Sequence, residues 1–177
     1  MKNPVVQRLV RISRIDGLEA LICCVHASSN DCIVLSEQSE SLDLDGFCLI
    51  PTKSVRCFDH EFEKVEFYQA ALQAWPNSTS HVELLSQISC NLISDMRLLM
   101  NRKETIAVHT ETDDPEVCYV GTVRDVTESE VFLDRITSSG ERVVDALGFE
   151  IALITKVEIA TRYLISVAWA ADVLEKK

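Results

Sequence analysis

The chain has 177 residues, of which 47 % are hydrophobic and 25 % are charged, values typical of a globular protein rather than a disordered one. Its 17 basic and 28 acidic residues give a formal charge of −11, which disfavours nucleic acid as the main partner because phosphate backbones are held by clustered Lys and Arg. No apolar run reaches the roughly 18 residues that span a bilayer, and arginines interrupt the amino-terminal segment, so we expect no membrane span and no signal peptide.

The first half of the chain reads as short strands separated by turn signals. The candidate strands are RLVRISR, LEALICCVH, CIVLSE, GFCLIP and KSVRCF. Asp16-Gly17 is typical of a tight hairpin turn, because both residues tolerate positive φ. An amphipathic helix follows, since Phe62, Val65 and Leu72 recur at helical spacing, and Pro76 is expected to end it.

A helical connector is predicted between the two halves. Ser80 with Glu83 three residues later is the arrangement that satisfies free amides at a helix start. A single apolar face is formed at helical spacing by Leu84, Leu85, Ile88, Leu92 and Met96. We therefore expect the connector to pack against the rest of the protein rather than to act as a loose linker.

The second half repeats the pattern of the first. Its candidate strands are TIAVHT, VCYVGTVRD, VFLDRI, GFEIAL and TKVEIA, and the helical segment RYLISVAWAADVLEKK ends it. At an offset of 98 residues Cys24 to Glu37 lies over Thr122 to Arg135 with coinciding apolar positions. At an offset of 102 the pair Gly46-Phe47 lies over Gly148-Phe149. This self-similarity predicts two tandem units of about 65 residues each.

Five short strands per unit, with frequent turns, predict a small bent antiparallel barrel in each half. The fold class is therefore mainly β with helices, with a first barrel in residues 1–75, a connector in 76–105 and a second barrel in 106–177. The residues expected to be buried are Val25, Ile33, Leu35, Phe47 and Val55 in the first barrel and Val123, Val131, Leu133, Phe149 and Val157 in the second.

The stretch YVGTVRDVTESEVFLD resembles the first signature of Sm-like proteins, with Gly121, Val123, Leu133 and Asp134 at the matching positions. GFEIALITKVEI resembles their paired fourth and fifth strands. The resemblance implies a tandem Sm-like fold of the kind found in uncharacterised bacterial proteins. Sm-like proteins that hold RNA use an Asp and an Asn between the second and third strands, where the second half has Thr127 to Glu130 and the first half has Asn30 and Asp31. The Arg-Gly pair expected after the fourth strand is replaced by PTKS and LITK, so RNA binding is not carried over from the resemblance.

No catalytic or metal site is predicted. The four histidines have no partner at ligand or triad spacing, and the acidic stretches Asp59 to Glu63 and Glu111 to Glu116 lack the mid-loop Gly of a calcium loop. No glycine-rich loop or nucleophile elbow occurs, so we expect no cofactor and no enzyme activity. The weak candidates for binding are Arg8, Arg11, Arg14, Asn30 and Asp31.

The leading functional hypothesis is a protein-binding or scaffolding module, because exposed strand edges pair with other chains and an acidic surface favours basic protein partners. An RNA-binding module is the alternative. Self-association as a dimer or small oligomer is also expected, since Ile165, Trp169 and Leu174 are very apolar for a solvated end of the chain. Seven cysteines, an odd number set mostly in apolar strings, favour buried thiols and a cytoplasmic location.

Overall fold

A computed structural model describes residues 9–15, 18–39, 41–74, 82–112, 117–143 and 145–175. The strands are β1 Leu9–Arg14, β2 Leu21–Ser28, β3 Cys32–Gln38, β4 Leu44–Pro51, β5 Val55–Asp59, β6 Thr105–His109, β7 Cys118–Val126, β8 Glu130–Arg135, β9 Leu147–Glu150 and β10 Lys156–Ile159. The helices are α1 Val65–Ala74, α2 Val82–Leu85, α3 Leu92–Arg102 and α4 Arg162–Glu175, and short 3-10 turns cover Thr52–Ser54 and Ile151–Leu153.

All ten strands belong to one open sheet with the order β5-β1-β2-β3-β4-β10-β6-β7-β8-β9. Every neighbouring pair is antiparallel. The predicted mainly β class with helices is confirmed. The prediction of two separate barrels is not, because β4 of the first half and β10 of the second are hydrogen-bonded neighbours in a continuous sheet.

The two halves nevertheless share one strand order, β5-β1-β2-β3-β4 in the first and β10-β6-β7-β8-β9 in the second. The irregularity in strand register after Val25 recurs after Val123, at the predicted offset of 98. Each half also places a 3-10 turn between its last two strands in the chain. The strand order is therefore repeated along the chain, but within one continuous sheet rather than in two separate barrels.

One part of the sequence alignment is wrong. Ile33 pairs with Ile50, and its counterpart Val131 pairs with Phe149, so Phe149 corresponds to Ile50 rather than to Phe47. The two glycines differ as well. Gly46 has a φ of +61° and lies against β10, whereas a side chain on Gly148 would meet the ring of Phe132. The shared Gly-Phe pair is thus a coincidence of sequence, and the offset along these strands is 99, as the 3-10 turns show.

Gly46 controls how closely β4 approaches β10. A Cβ atom there would lie 2.5 Å from the carbonyl oxygen of Ile159 and 2.7 Å from the amide nitrogen of Thr161. Both are backbone atoms and cannot rotate away. Only glycine combines this contact with a positive φ at no steric cost.

The largest apolar cluster joins the two halves. It combines strand residues of the second half with the connector side chains Leu92, Met96 and Leu99 and with Phe47 and Leu49 of β4. A second cluster lies within the first half and includes Ile12, Ile33, Leu35 and Ile50. Eight of the ten residues predicted to be buried are buried, while Val25 and Val55 are only partly so. Phe47 packs with residues of the second half, whereas the sequence predicted it to be buried inside the first barrel.

The connector forms two helices rather than one, so its apolar residues do not share a single helical face, but they do pack against the rest of the protein. Leu84, Leu92 and Met96 are buried, and Leu85 and Ile88 are partly buried against the same cluster. Asn91 caps α3 by accepting a hydrogen bond from the amide of Ser94 at 3.0 Å. The predicted cap at Ser80, the Asp16-Gly17 turn and the helix stop at Pro76 lie outside the described residues.

We expect Gly46→Ala to destabilise the protein by about 2 kcal/mol or more, because it combines a strained φ with backbone overlap at the β4–β10 contact. Gly148→Ala is the matched control. Its φ is not positive and only the Phe132 ring must move, so it should cost clearly less. Urea unfolding of both variants measures the difference. Equal losses would contradict the distinct roles assigned to the two glycines.

Candidate functional site

The arginines singled out from the sequence do not form one surface. Arg11 is exposed on β1, Arg8 lies outside the described residues, and Arg14 is only 4 % exposed. Arg14 donates from Nη1 to Oε1 of Glu111 at 2.9 Å and from Nη2 to the carbonyl oxygen of Thr155 at 3.2 Å. It also pairs through Nη2 with Oε2 of Glu111. Arg14 therefore links the first half to the second instead of facing a ligand.

Glu111 is held from two sides. The hydroxyl of Thr155 donates to its Oε2 at 2.6 Å, opposite the Arg14 guanidinium. Burial by itself raises the pKa of Glu111, but the hydrogen bonds from Arg14 and Thr155 outweigh it, so the pKa lies below its usual value. The carboxylate is thus ionised and fully engaged at neutral pH, and the acidic stretch that contains it supplies a structural residue.

A second charged cluster also joins the halves. Lys156 on β10 is 8 % exposed, and its Nζ lies 2.8 Å from Glu158 and 3.5 Å from Glu37 on β3. Nε2 of His109 lies 3.1 Å from Oε1 of Glu158. Burial alone would raise the pKa of Glu158, but the contacts with His109 and Lys156 prevail and lower it to about 2. Burial raises the pKa of Glu37 instead.

Asn30 and Asp31 lie in the turn between β2 and β3, where the Sm-like resemblance places an RNA contact. Oδ2 of Asp31 accepts a hydrogen bond from the amide of Leu92 at 2.7 Å. This contact satisfies a free amide at the start of α3, where a negative charge is favourable. Asn30 is exposed. Asp31 is therefore used in anchoring the connector to the first half.

An apolar cavity of about 300 Å³ lies between β2, β3 and the connector, and His26 is one of its lining residues. Nε2 of His26 is 2.8 Å from Oγ of Ser36, and that hydroxyl donates to the carbonyl oxygen of Gly46 at 2.7 Å. Because the serine proton is already donated to a carbonyl, the imidazole acts as the donor to the serine oxygen. This geometry does not activate Ser36 as a nucleophile.

Helix α4 carries more exposed large apolar side chains than any other element in the described part of the chain. Trp169 is 69 % exposed, Tyr163 54 %, Ile165 50 % and Leu174 45 %. The helix is fixed to the second half by Leu164 and Ala171, which pack on Ala107, Val120 and Ile136. The sequence pointed to three of the four exposed residues by their apolar character, and it missed Tyr163.

Within the described ranges, no three His, Cys, Asp or Glu side chains are grouped so that they could hold a metal ion. No helix in those ranges is long and apolar enough to cross a bilayer. All seven cysteines are free thiols, with Cys57 and Cys118 exposed. Comparison with family models, with characterised proteins and with solved structures finds no match to this chain.

We expect Arg14→Met to lower the free energy of unfolding by roughly 3 kcal/mol, because it leaves the partly buried Glu111 carboxylate without its cation. Arg11→Met is the matched control, since Arg11 is exposed on the same strand and its loss should cost less than about 0.5 kcal/mol. Urea unfolding at neutral pH provides the comparison. Similar losses for the two variants would show that Arg14 does not join the halves in solution.

The Glu158 carboxylate should make stability depend on pH. Its folded pKa of about 2 lies below the ordinary value of 4.5, so its ionised form stabilises the fold fully above about pH 4.5 and this contribution is lost as the pH falls toward 2. Glu158→Gln should therefore be less stable than the parent at neutral pH by about 3 kcal/mol, and the two should converge near pH 2.

The measurement is thermal unfolding at a series of pH values, with Glu141→Gln at an exposed position as the control. Glu37 contributes with the opposite sign, and because Glu158 helps to raise the pKa of Glu37, the difference between Glu158→Gln and the parent reports Glu158 together with its effect on Glu37. A constant difference between Glu158→Gln and the parent across the acid range would refute the assignment.

Proposed function

We propose that this chain is a non-catalytic protein-binding or scaffolding module and that α4 carries its contact surface for other proteins. The observation behind the proposal is the exposure of Tyr163, Ile165, Trp169 and Leu174 on one 14-residue helix. Aromatic side chains are enriched in protein interfaces, where their large apolar area is removed from water. A helix that served only to cover the sheet would keep polar residues on its outer side.

Helical periodicity places these exposed side chains on two flanks of α4. Leu164 and Ala171 are seven residues apart and face the sheet. Ile165 and Trp169, four residues apart, share one flank of the helix. Tyr163 and Leu174, eleven residues apart, share the other. A partner that lies along α4 would bury apolar area on both sides of the helix axis.

The formal charge of −11 favours a partner with a basic surface around its apolar contact, because complementary potentials speed association. The acidic groups near the end of α4, Asp172 and Glu175, are paired with Arg142 at 2.6 Å and 3.0 Å. We therefore expect the apolar side chains to provide the affinity for a partner and the net charge to speed the association with it.

The finer features of this proposal are a tandem Sm-like architecture and a cytoplasmic location. The repeated strand order and the two 3-10 turns support the first, and the seven free thiols support the second. RNA binding remains the less favoured alternative, because Asp31 is engaged by α3 and the corresponding turn of the second half contains Glu128. The chain is also proposed to form dimers or small oligomers.

Trp169→Lys tests the surface on α4, because it places a charge in the middle of the apolar residues. Phe67→Lys is the matched control, since Phe67 is 57 % exposed on α1 and the charge change is the same. Proteins captured by the tagged parent chain are quantified against both variants, and the strongest candidate is then purified for a direct titration.

We expect Trp169→Lys to weaken that titrated affinity by at least tenfold, as loss of an aromatic residue central to an interface does, and Phe67→Lys to leave it unchanged. A partner bound equally well by the parent and by Trp169→Lys would refute α4 as the contact surface. Capture of no protein by the parent chain would count against the proposed function itself.

A further inference from the structure

We propose that the cavity between β2, β3 and the connector binds a small uncharged apolar molecule that carries one hydroxyl group, such as a phenol. The cavity has a volume of about 300 Å³, and the residues that line it are His26, Ala27, Val34, Leu85, Ser86 and Ile88. An apolar cavity of about half this volume can hold one benzene ring. The site uses none of the α4 side chains, so the inference goes beyond the proposed contact with other proteins.

A chain of two hydrogen bonds determines which nitrogen of His26 carries the proton. The hydroxyl of Ser36 donates to the carbonyl oxygen of Gly46 at 2.7 Å, so its only proton is used. Nε2 of His26 lies 2.8 Å from that hydroxyl oxygen, so this nitrogen is the donor. Nδ1 is therefore the unprotonated nitrogen of the neutral ring, and it has no hydrogen-bond partner among the described residues.

The open acceptor at Nδ1 defines the polar group that a ligand needs. Burial lowers the pKa of His26, so the ring is neutral at pH 7 and Nδ1 keeps its lone pair. The other polar side chain that lines the cavity, Ser86, already donates its proton to the carbonyl oxygen of Glu83 at 2.7 Å. A ligand hydroxyl that donates to Nδ1 satisfies this acceptor, whereas a charged group would lose its hydration among apolar side chains.

Both members of the His26–Ser36 pair occupy irregularities in strand pairing. The register of β2 with β3 shifts at His26, and the register of β3 with β4 shifts at Ser36. Such bulges reorient a side chain relative to the regular strand and are common beside binding sites. Here they fix the ring of His26 in the cavity wall through Ser36 and the carbonyl group of Gly46.

The second half has a different pair at the same positions. At the offset of 98 residues Arg124 corresponds to His26 and Asp134 to Ser36, and the strand register again shifts at Arg124. Nη2 of Arg124 lies 2.5 Å from Oδ1 of Asp134, and both side chains are partly open to solvent. The bulge therefore does not itself require a neutral pair. In the first half, where the connector borders the cavity, an uncharged pair keeps the wall apolar and provides one acceptor.

The connector supplies much of the apolar wall. Val34 on β3 is buried, and Leu85 and Ile88 of the connector are only partly buried against the main apolar cluster. An aromatic ring between these side chains would remove part of their remaining exposed area from water, which favours binding. The wall therefore suits an apolar ring, and the single acceptor at Nδ1 suits one hydroxyl on that ring.

Phenol and toluene are the matched probes, because they differ only by a hydroxyl in place of a methyl group. NMR titration of the isotope-labelled full chain measures the binding of each. We expect phenol to bind saturably with a Kd on the order of 1 mM, as a molecule of this size does, and to shift the amide signals of His26, Ala27 and Ile88. The ring nitrogen signals of His26 should show protonation at Nε2 in the free chain. Phenol should shift the Nδ1 signal, whereas toluene should not.

His26→Phe removes the acceptor and keeps an aromatic ring. The ratio of phenol affinity to toluene affinity should fall roughly fivefold relative to the parent, which corresponds to one neutral hydrogen bond. This ratio cancels changes in cavity shape that affect both probes. Ala27→Phe fills the cavity from an exposed position and should weaken both probes roughly tenfold. Ala70→Phe, at an exposed position on α1, is the matched control and should leave both affinities unchanged.

A phenol titration with no saturable change up to about ten times that Kd would overturn the proposal. So would amide shifts confined to α4, a His26 ring protonated at Nδ1 in the free chain, or an unchanged affinity ratio in His26→Phe. If His26→Phe does not fold, the ring nitrogen signals of the parent chain decide the outcome. Binding of other proteins through α4 is measured separately, so its failure leaves the result for the cavity unaffected.

Discussion

The antiparallel pairing of β4 with β10 is the constraint on which the rest of the structure depends. It joins the two halves, which have the same strand order, into one sheet in which β4 of the first half lies beside β10 of the second. The close approach requires a residue without a side chain at Gly46, because the backbone of β10 occupies the space that a Cβ would need. The largest apolar cluster extends across this contact, so the halves share a core.

The buried charges around this contact serve to fix its register. A strand that slips by two residues keeps the same face toward the core, so apolar burial alone does not exclude the slipped pairing. Lys156 contacts Glu37 across the joint between the halves, and Arg14 reaches Glu111 only when the halves are joined. Buried ion pairs add little net stability, but a mismatched one is costly, and this asymmetry selects one arrangement.

The sequence alone predicted the strands, the helices and the repeated unit, because alternation and helical spacing are local patterns. It failed where the outcome depends on distant partners. Phe47 and Phe149 each follow a glycine, but the strand pairings show that the first-half residue equivalent to Phe149 is Ile50. Nothing near Arg14 in the chain indicates burial, since its partner Glu111 is 97 residues away. For the same reason the sequence suggested Asp31 as a ligand residue although it anchors α3.

Duplication within one chain determines which strand edges are paired. Two separate units with this strand order would leave four edge strands, and the internal contact pairs two of them, β4 and β10. An unpaired edge strand is a template for another chain, so joining the halves removes two such templates. The β4–β10 contact is therefore part of the fold rather than a junction between independent domains, as the shared apolar cluster also indicates.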